Sequence, residues 1–330
     1  MIDVSFIIVS WNAKAYLLEC LASIQETVTE CSYEIIVVDN DSSDGSPEAV
    51  EEEFPAVRLI RSGSNLGFAK GNNIGIRESA GSSLCLINSD VVMSPGCMGV
   101  LLEYMRRNPE IGMAAPRILN GDGSLQPSCR RFPSLYGSLC AAFSMGNLFP
   151  GRGMFCDTMM SWWKHDEERF VDALTGCFWL VRREALDEVG LLDEDYFMYA
   201  EDIDWCRRFN QRGWRVAFNP AAETIHHGGA SSKNAPIRFY LAMQQARLKY
   251  WKKHHGSFSY FCVICIILLH HSIRISTRSV LYLLSRGNRE DRAFKLRRSF
   301  VFLRWLLSGA SEIGNESPKR DLSSKYGELT

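Results

Sequence analysis

The stretch "SSLCLINSDVVMSPG", residues 82–96, contains a short apolar run that ends in three polar residues. The run at residues 84–87 has the length of a buried strand, and Asn88, Ser89 and Asp90 follow it before the chain turns at a Pro-Gly pair. A carboxylate directly after a buried strand either forms the turn or is placed at the strand tip for a function. The segments around this stretch decide between the two.

Strands and helices alternate through the first hundred residues. Apolar and β-branched runs predict strands at residues 4–10, 33–40, 57–62 and 84–87. Helical spacing of apolar residues and helix-start signals predict helices at residues 13–28, 46–54, 67–80 and 97–108. This alternation predicts an α/β fold with a Rossmann-like, doubly wound and mostly parallel sheet. Ligands of such sheets bind outside the carboxyl ends of the strands.

Polar residues follow all four predicted strands. In chain order they are Ser10 and Asn12, Asp39 and Asn40, Ser64 and Asn65, and Asn88, Ser89 and Asp90. Any one of these groups could be an ordinary turn. Four groups at the same edge of one sheet favour a ligand site.

The second half of the chain is less regular. Residues 114–160 are rich in Pro, Gly and Ser and predict a loop or hairpin over the site. Residues 170–190 predict a strand, a tight turn at Gly176, a second strand and a helix. They are followed by a predicted helix over 201–214, a strand over 215–220 and a glycine-rich loop over 224–232.

The character of the chain changes after residue 236. Residues 237–256 predict a strong amphipathic helix, and the apolar run at 258–269 is too short to span a bilayer in the usual way. Between residues 274 and 304 there are nine Lys or Arg against two acids, interleaved with aromatic and aliphatic residues. This pattern favours in-plane contact with a membrane surface, and a helical cap on the core or an oligomer interface is the alternative. The tail at 311–330 is polar and predicted to be flexible.

Composition narrows the class of protein. The chain has 330 residues, 46% of them apolar, which is ample for a large core. Its net charge of -1 gives no reason to expect a nucleic-acid partner. Eleven scattered cysteines favour reduced thiols, and the first twelve residues have no basic segment of a signal peptide, so we expect a cytoplasmic protein.

Seven motifs together resemble the family 2 glycosyltransferases with the GT-A fold, in particular their bacterial rhamnosyltransferase-like members. In chain order they are "IIVSWN", "IIVVDNDSSDGS", "NLGFAKGNN", "LINSDV", "TGCFWLVRREAL", "FMYAEDIDWCRR" and "IHHGGASS". The likeness covers about residues 3–250 and leaves the last 80 residues outside it. It implies a GT-A domain at 1–235, with a nucleotide-sugar half at 1–110 and an acceptor and catalytic half at 111–235, followed by a helical region at 236–310.

The resemblance implies a divalent metal, Mg²⁺ or Mn²⁺, that offsets the charge of the donor diphosphate. Asp90 matches the last acid of the family's D-x-D motif, whereas Asn88 replaces the first acid and is a weaker ligand. His226 matches the position that contacts the metal or the diphosphate, and His227 is the alternative. A simple turn role for Asp90 and a structural role for the histidine are the alternatives to metal binding.

Other residues match the family's donor-binding positions. Asp39 matches the acid that binds the base or ribose, and Ser10 and Asn12 lie near enough to assist. Asn65, Gly67 and Asn72 lie at a loop-to-helix transition, where N–H groups favour phosphate or sugar oxygens. A helix cap with packing glycines is the alternative for that segment.

The segment "AEDIDWCRR" contains the strongest catalytic candidates. Inverting transfer requires one general base, and Asp202 matches the second acid of the family's E-D motif, the usual base. Glu201 is its rival and otherwise binds or orients the acceptor, while Asp204 pairs with a nearby arginine. Gly176 leaves room for the acceptor, and Trp179 either stacks on a sugar or packs in the core.

The predicted function is therefore an inverting, metal-dependent glycosyltransferase. We expect it to move a sugar, with dTDP-rhamnose the leading donor and UDP-sugars next, to a hydroxyl of a lipid-linked or polysaccharide acceptor. It would act peripherally at the inner face of the cell membrane in cell-envelope or O-antigen synthesis, and it could form a homo-oligomer. A nucleotidyltransferase and a non-catalytic nucleotide-sugar-binding membrane scaffold are the alternatives, although the first lacks a glycine-rich phosphate loop after strand one.

Overall fold

The structure is a computed structural model that describes residues 2–149, 151–155, 158–160, 162–228, 236–284 and 289–309. The chain forms two compact units. The first consists of Met1–Phe132 and Trp163–Asn234, and the second of Pro133–Trp162 and Ala235–Thr330.

Strands and helices alternate as predicted in the first hundred residues. The strands are β1 (Val4–Ser10), β2 (Tyr33–Asp39), β3 (Arg58–Arg61), β4 (Ser83–Asn88), β5 (Val91–Met93), β6 (Ile111–Leu119), β7 (Cys129–Arg130), β8 (Arg169–Phe170), β9 (Ala173–Leu174), β10 (Phe178–Arg182) and β11 (Arg215–His226). The helices are α1 (Lys14–Thr27), α2 (Ser46–Glu53), α3 (Gly67–Arg77), α4 (Cys97–Arg107), α5 (Leu135–Ala142), α6 (Met145–Leu148), α7 (Arg183–Val189), α8 (Glu201–Gln211), α9 (Pro236–His254), α10 (Ser257–Leu284) and α11 (Arg289–Leu307).

The first unit is built on a mixed α/β sheet, as predicted. Within the described residues the strand order is β3-β2-β1-β4-β10-β6-β11-β5, with β8 paired to β11. β3, β2, β1 and β4 are parallel, whereas β10 runs antiparallel to both of its neighbours. β7 and β9 form a separate two-stranded ladder. The parallel half carries the four polar strand ends to one edge, as the alternation of elements predicted.

The core explains why the central strands read as continuous apolar runs. Phe6 and Ile8 of β1 belong to the buried cluster under α1, to which that helix contributes Leu21 and Ile24. Ile7, on the opposite face of β1, is also fully buried and lies under α3. A parallel strand covered by helices on both faces has no polar face, so its sequence does not alternate.

Two predictions for the second half were wrong. Residues 114–160 are not loop throughout, because β6 extends through residues 111–119 and pairs with β10 and β11. Gly and Pro weaken the strand pattern of this segment in the sequence. Pro116 is tolerated because it lies where the β6–β11 register shifts. The predicted loop at 224–232 begins later than expected, because β11 continues to His226; its residues 229–232 lie outside the described residues.

The described part of the second unit is mainly helical. Residues 133–162, which were assigned to the acceptor half, group with the C-terminal helices. The predicted apolar run is part of a 28-residue helix, α10. Among the described residues, this is the single helix with the length and apolar composition to cross a membrane, over Ser257–Val280, and only 17% of its most apolar stretch is buried. The predicted flexible tail at 311–330 lies outside the described residues.

Candidate active site

The parallel strands bring the first group of predicted site residues to one edge of the sheet. In the β1–β2 ladder Ser10 is paired with Asp39, and in the β1–β4 ladder Val9 is paired with Asn88. The three strand ends are therefore adjacent, with β1 in the middle. Residues far apart in sequence meet here because the ladders are parallel and in register.

Asp39 and its neighbours present buried acceptors at this edge. Asp39 Oδ2 accepts the backbone N–H of Ser42 at 3.0 Å, and Asn40 donates from Nδ2 to the carbonyl oxygen of Gly67 at 3.1 Å. Within the described part of the chain, Asp39 Oδ1, Asn40 Oδ1 and the Ser10 hydroxyl oxygen are buried without a hydrogen-bond partner. Buried polar atoms are normally satisfied, so these three atoms indicate a place where a ligand supplies partners.

Asn12 forms hydrogen bonds with the loop that follows β2 at this edge of the sheet. Its backbone has a positive φ of 50°, its N–H donates to the Ser42 hydroxyl, and its amide oxygen accepts the N–H of Ser43 at 2.8 Å. The side chain therefore holds the loop after β2, and its contact with a donor stays a prediction.

The segment at the start of α3 also has local roles. Asn65 Oδ1 accepts the N–H of Gly67 at 3.0 Å, and Asn72, which is buried, donates to the carbonyl oxygen of Phe68 at 2.9 Å. Gly67 has φ +83°, and a Cβ there would lie 2.3 Å from the carbonyl oxygen of Phe197. The structure thus gives each of the three residues a packing or capping role, and their donor contacts stay predictions.

Asn88, Asp90 and His226 come together from β4, the turn after it and the end of β11. His226 Nε2 lies 3.1 Å from Asp90 Oδ1 and 3.3 Å from Asn88 Nδ2. His227 is held elsewhere, since its Nε2 lies 3.2 Å from a carboxylate oxygen of Glu19. Of the two histidines, the structure places His226 beside Asp90, and the contact of His226 with a metal or a diphosphate stays a prediction.

Gln126 orients His226, and the sequence reasoning missed it. Gln126 Nε2 donates to Asn120 Oδ1 at 2.8 Å and faces the His226 carbonyl oxygen, so Gln126 Oε1 faces the imidazole. His226 Nδ1 lies 2.6 Å from this acceptor and therefore carries the proton. In a histidine that binds a metal, a hydrogen-bond acceptor at the other ring nitrogen fixes the tautomer, and Gln126 Oε1 is such an acceptor for His226. Gln126 lies in a segment predicted as loop, and no motif marks it.

This arrangement fits a divalent cation. With the proton on Nδ1, the lone pair of His226 Nε2 faces an oxygen of Asp90, and such a pair is stable only with a proton or a cation between the two atoms. When a proton takes this place, the imidazole is positively charged. Burial raises the pKa of Asp90, but the hydrogen bond and the charge of this protonated His226 outweigh burial, so the pKa of Asp90 is lowered overall. Within the described residues no group of three His, Cys, Asp or Glu is assembled, so Asn88 and donor phosphates would have to complete the shell.

Glu201 and Asp202 begin α8 in two different environments. The chain enters the helix through Tyr199 and Ala200, both in the left-handed region with φ of 70° and 63°. Non-glycine residues in this region are uncommon and cluster at functional sites. The turn buries both carboxyl groups at the helix start.

Asp202 has donors near both of its carboxylate oxygens, whereas one oxygen of Glu201 lacks a partner within the described residues. Asp202 Oδ2 lies 3.2 Å from Arg130 Nη1, and Oδ1 accepts the N–H of Ile203 at 2.8 Å. Glu201 Oε2 is buried without a partner within the described residues. Burial, followed by the negative charge of Asp202, raises the pKa of Glu201 to about 8. Glu201 therefore keeps its proton to a higher pH than an ordinary carboxyl group does.

Arg130 is the second residue that the sequence reasoning missed. It lies on β7, which pairs with β9, and this ladder brings it to the acids of α8. The expectation that Asp204 pairs with a nearby arginine is met by Arg208, whose Nε lies 2.9 Å from Asp204 Oδ2. Asp204 is fully buried and paired within α8, and the site roles of Glu201 and Asp202 stay predictions.

Trp179 belongs to the core in this structure. Its side chain is fully buried, its ring packs edge-on against Trp205 at 5.3 Å, and its Nε1 donates to the Leu174 carbonyl oxygen. The alternative of core packing therefore fits, and stacking on a sugar does not. Gly176 faces the same ring, since a Cβ there would lie 3.1 Å from Trp179.

The chain is similar to glycosyltransferases over most of its length. The sequence profile of "Glycosyl transferase family 2" matches residues 5–190. The N-acetylglucosaminyl-diphospho-decaprenol L-rhamnosyltransferase of Mycobacterium tuberculosis is 33% identical over 260 residues, which are 75% of this chain and 83% of the relative. The rhamnosyltransferase WbbL of Escherichia coli is 27% identical over 252 residues, 72% of this chain and 89% of the relative.

A solved structure shows the same fold. A mannosyltransferase of Pyrobaculum calidifontis, solved with GDP-Man and Mn²⁺, superposes with a TM-score of 0.55 at 16% identity and covers 92% of this chain and 89% of its own. The matching profile and the 33% identity to a rhamnosyltransferase show that the chain belongs to glycosyl transferase family 2 and is a rhamnosyltransferase-like glycosyltransferase.

Proposed function

We propose that this glycosyltransferase transfers a sugar with inversion from a nucleotide diphosphate to a hydroxyl of a lipid-linked or polysaccharide acceptor in cell-envelope glycan synthesis. The observation that carries the proposal is the buried carboxylate of Asp202, whose two oxygens are oriented by Arg130 and the Ile203 amide. Similarity to two rhamnosyltransferases supports rhamnose from dTDP-rhamnose as the donor sugar, with UDP-sugars next.

Asp202 acts as the general base in this proposal. Its carboxylate takes the proton of the acceptor hydroxyl while that oxygen forms a bond to the anomeric carbon and the bond to the nucleotide diphosphate breaks. One displacement by one nucleophile inverts the anomeric centre. Arg130 and the Ile203 amide hold the carboxylate in one orientation, which favours a productive approach.

Glu201 takes a different role. Because its pKa is raised to about 8, its carboxyl group holds a proton at neutral pH and is a poor base. A protonated carboxyl can donate a hydrogen bond to an acceptor oxygen and orient it. The two neighbouring acids thus divide into a base and a donor because their surroundings differ.

Asp90 and His226, with the Asn88 amide, would hold Mg²⁺ or Mn²⁺. The ion would supply positive charge to the diphosphate as the sugar leaves. Gln126 orients the imidazole of His226. Buried oxygens of Asp39, Ser10 and Asn40, which have no partner within the described residues, could accept hydrogen bonds from N–H or O–H groups of the nucleotide-sugar. With only two strong protein ligands, the metal is expected to bind weakly alone and more tightly with the nucleotide.

Sugar transfer by the Asp202→Asn variant tests the base. We expect the rate of transfer from dTDP-rhamnose to a lipid-linked acceptor to fall by about 10²–10⁴-fold, because a neutral amide cannot take the proton. The matched control is Asp187→Asn, an exposed acid on α7, which should transfer at the wild-type rate. Undiminished transfer by Asp202→Asn contradicts the assignment.

Thermal unfolding with a panel of nucleotide-sugars tests the donor and the metal. The true donor should raise the melting temperature with Mn²⁺ or Mg²⁺ and lose this effect with EDTA, because a ligand stabilises the state that it binds. Replacement of Asp90 by Asn should weaken the metal-dependent part of the shift. A donor shift that EDTA leaves unchanged would contradict the metal site.

A further inference from the structure

The two faces of α10 in the helical unit are chemically different. The exposed face carries Phe258, Phe261 and Leu269 in its first half. The opposite face buries Val263 and Ile267 and then continues, at helical spacing, as His271, Arg274 and Arg278. A helix face that turns inward is normally apolar, so the basic second half needs an explanation.

Neighbouring helices of the same unit add to this basic face. His271 Nε2 lies 3.2 Å from the Tyr240 hydroxyl of α9, and the Arg298 guanidinium of α11 lies 4.4 Å from the centre of the Tyr240 ring. Arg278 Nη1 lies 3.0 Å from the Lys295 carbonyl oxygen. We name Arg274, Arg278 and Arg298, together with His271, the arginine cluster.

Within the described residues, no carboxylate pairs with the arginine cluster. Among the residues that the structure describes, none of its three arginines forms an ion pair with an acid. The charge of Asp291 acts on Arg278, but Asp291 is already paired with Lys295 at 2.5 Å. Buried or half-buried charges are normally paired, because desolvation of a lone ion is costly.

Two polar atoms of the cluster have no hydrogen-bond partner in the part of the chain that the structure describes. Arg274 Nε and His271 Nδ1 are buried and make no hydrogen bond within the described residues, and His271 is only 4% exposed. Both groups can donate to an anion placed between the helices. These unsatisfied groups are a second sign, independent of charge, that a ligand completes the cluster.

The positive charge is strong enough to affect nearby groups. Burial lowers the pKa of His270 to about 4 and that of His271 to about 3, and the neighbouring arginines contribute to both shifts. The same arginines oppose the burial that raises the pKa of the Tyr240 hydroxyl. The cluster is therefore a concentrated cationic site next to a helix with an exposed apolar face.

We propose that the arginine cluster binds the diphosphate of a lipid-linked acceptor, while the exposed apolar residues of α10 contact the lipid chain; this rests on the proposed function. Arginine guanidinium groups bind phosphate oxygens through paired, charge-assisted hydrogen bonds. Three arginines match the two negative charges of a lipid diphosphate better than the single charge of a phospholipid phosphodiester. The diphospho-decaprenol in the name of the Mycobacterium tuberculosis relative supports a ligand of this class.

The kinetic test compares two acceptors that differ only in the diphosphate. Full-length Arg274→Gln and Arg298→Gln variants are assayed with a lipid-diphosphate saccharide in micelles and with the same saccharide on a phosphate-free alkyl chain. We expect the KM for the first to rise about tenfold or more, and kcat/KM for the second to stay unchanged. Arg297→Gln, an exposed arginine on the same helix as Arg298, is the matched control.

The binding test separates the lipid sources and does not depend on transfer. Neutral phosphatidylcholine vesicles carrying either a polyprenyl diphosphate or phosphatidylglycerol are floated with wild type and both variants. The proposal requires that the two Gln variants lose binding selectively to the diphosphate vesicles. The variants Arg274→Lys and Arg298→Lys should lose part of this binding, because lysine keeps the charge but lacks the planar guanidinium group. An equal loss on phosphatidylglycerol vesicles, or no loss on either, overturns it.

The two proposals fail in different ways. If wild type transfers sugar but the variants keep their KM for the diphosphate acceptor, the arginine cluster is not the site. If wild type transfers no sugar to any acceptor, the proposed function fails, while vesicle binding still decides the ligand of the cluster. Melting temperatures of all variants within a few degrees of wild type establish that a loss is not caused by unfolding.

Discussion

Glu201 and Asp202 show how two adjacent carboxyl groups acquire different chemistry. Asp202 has Arg130 and a backbone N–H as partners, whereas an oxygen of Glu201 is buried without one among the described residues. The motif identified both acids but could not assign these surroundings, because Arg130 reaches α8 only through the β7–β9 ladder. The raised pKa of Glu201 also couples folding stability to pH.

The Glu201→Gln variant should gain stability over wild type as the pH rises. The unfolded chain releases the Glu201 proton near the ordinary pKa of 4.5, whereas the folded protein keeps it to about pH 8. Between these values the folded state binds more protons, so wild-type stability falls with increasing pH. We expect the free-energy advantage of Glu201→Gln to grow by a few kcal/mol from pH 5 to pH 9. Urea unfolding across this range measures it.

The control for this measurement is Glu184→Gln, an exposed acid in the first turn of α7. Its stability difference from wild type should change little over the same range, because the Glu184 side chain is exposed to solvent in the folded protein as it is in the unfolded chain. An advantage of Glu201→Gln that is constant with pH would show that Glu201 is ionised in the folded protein.

At the scale of elements, α3 illustrates a close approach that only packing reveals. The sequence predicted this helix and its glycines, and the structure shows that Gly75 faces the fully buried Ile7 of β1. A Cβ at Gly75 would lie 2.5 Å from Ile7 Cγ2. The missing side chain therefore sets how closely the helix lies on the sheet.

Gly75→Ala should destabilise the protein by about 1–3 kcal/mol, because the new methyl group overpacks a rigid core. Gly99→Ala is the matched control, since Gly99 also lies within a helix and its nearest neighbour is the flexible, exposed side chain of Glu30 at 3.2 Å. The control should be neutral or gain up to about 1 kcal/mol of helix propensity. Urea unfolding of both variants measures the difference, and equal stabilities would contradict the close packing of α3.

At the scale of the whole molecule, the exposed apolar face of α10 predicts association with membranes. Phe258 and Phe261 are 77% and 63% exposed. Large exposed aromatic residues next to a basic region are typical of a surface that meets lipid. The sequence predicted in-plane contact from the basic and aromatic residues between 274 and 304, and it predicted an apolar run only at 258–269. The structure extends the helix that contains this run to 28 residues.

Replacement of both Phe258 and Phe261 by Ser should reduce binding to anionic vesicles about tenfold or more, since each buried aromatic ring contributes roughly 1.5–3 kcal/mol. Folding stability should change by less than about 0.5 kcal/mol, because both side chains are exposed. Phe170→Ser, which removes a half-exposed ring of the first unit, is the control and should bind as wild type does. Unchanged flotation of the double variant would mean that this face packs against protein.

The sequence by itself determined the alternation of strands and helices, the polar ends of the parallel strands and the acids of α8. These features follow from local hydrophobic period and turn chemistry, which need no knowledge of distant contacts. It missed β6, because Gly and Pro weaken the local signal of a strand that non-local pairing stabilises.

Only the tertiary structure decided which side chains meet. Asn88 and His226 are 138 residues apart, and the pairing of β11 with β5 and β6 brings them within 3.3 Å. Gln126 beside His226 and Arg130 beside Asp202 depend in the same way on segments with no motif of their own. A local sequence pattern encodes a strand or a helix, but the distance between two functional groups depends on how the whole sheet is assembled.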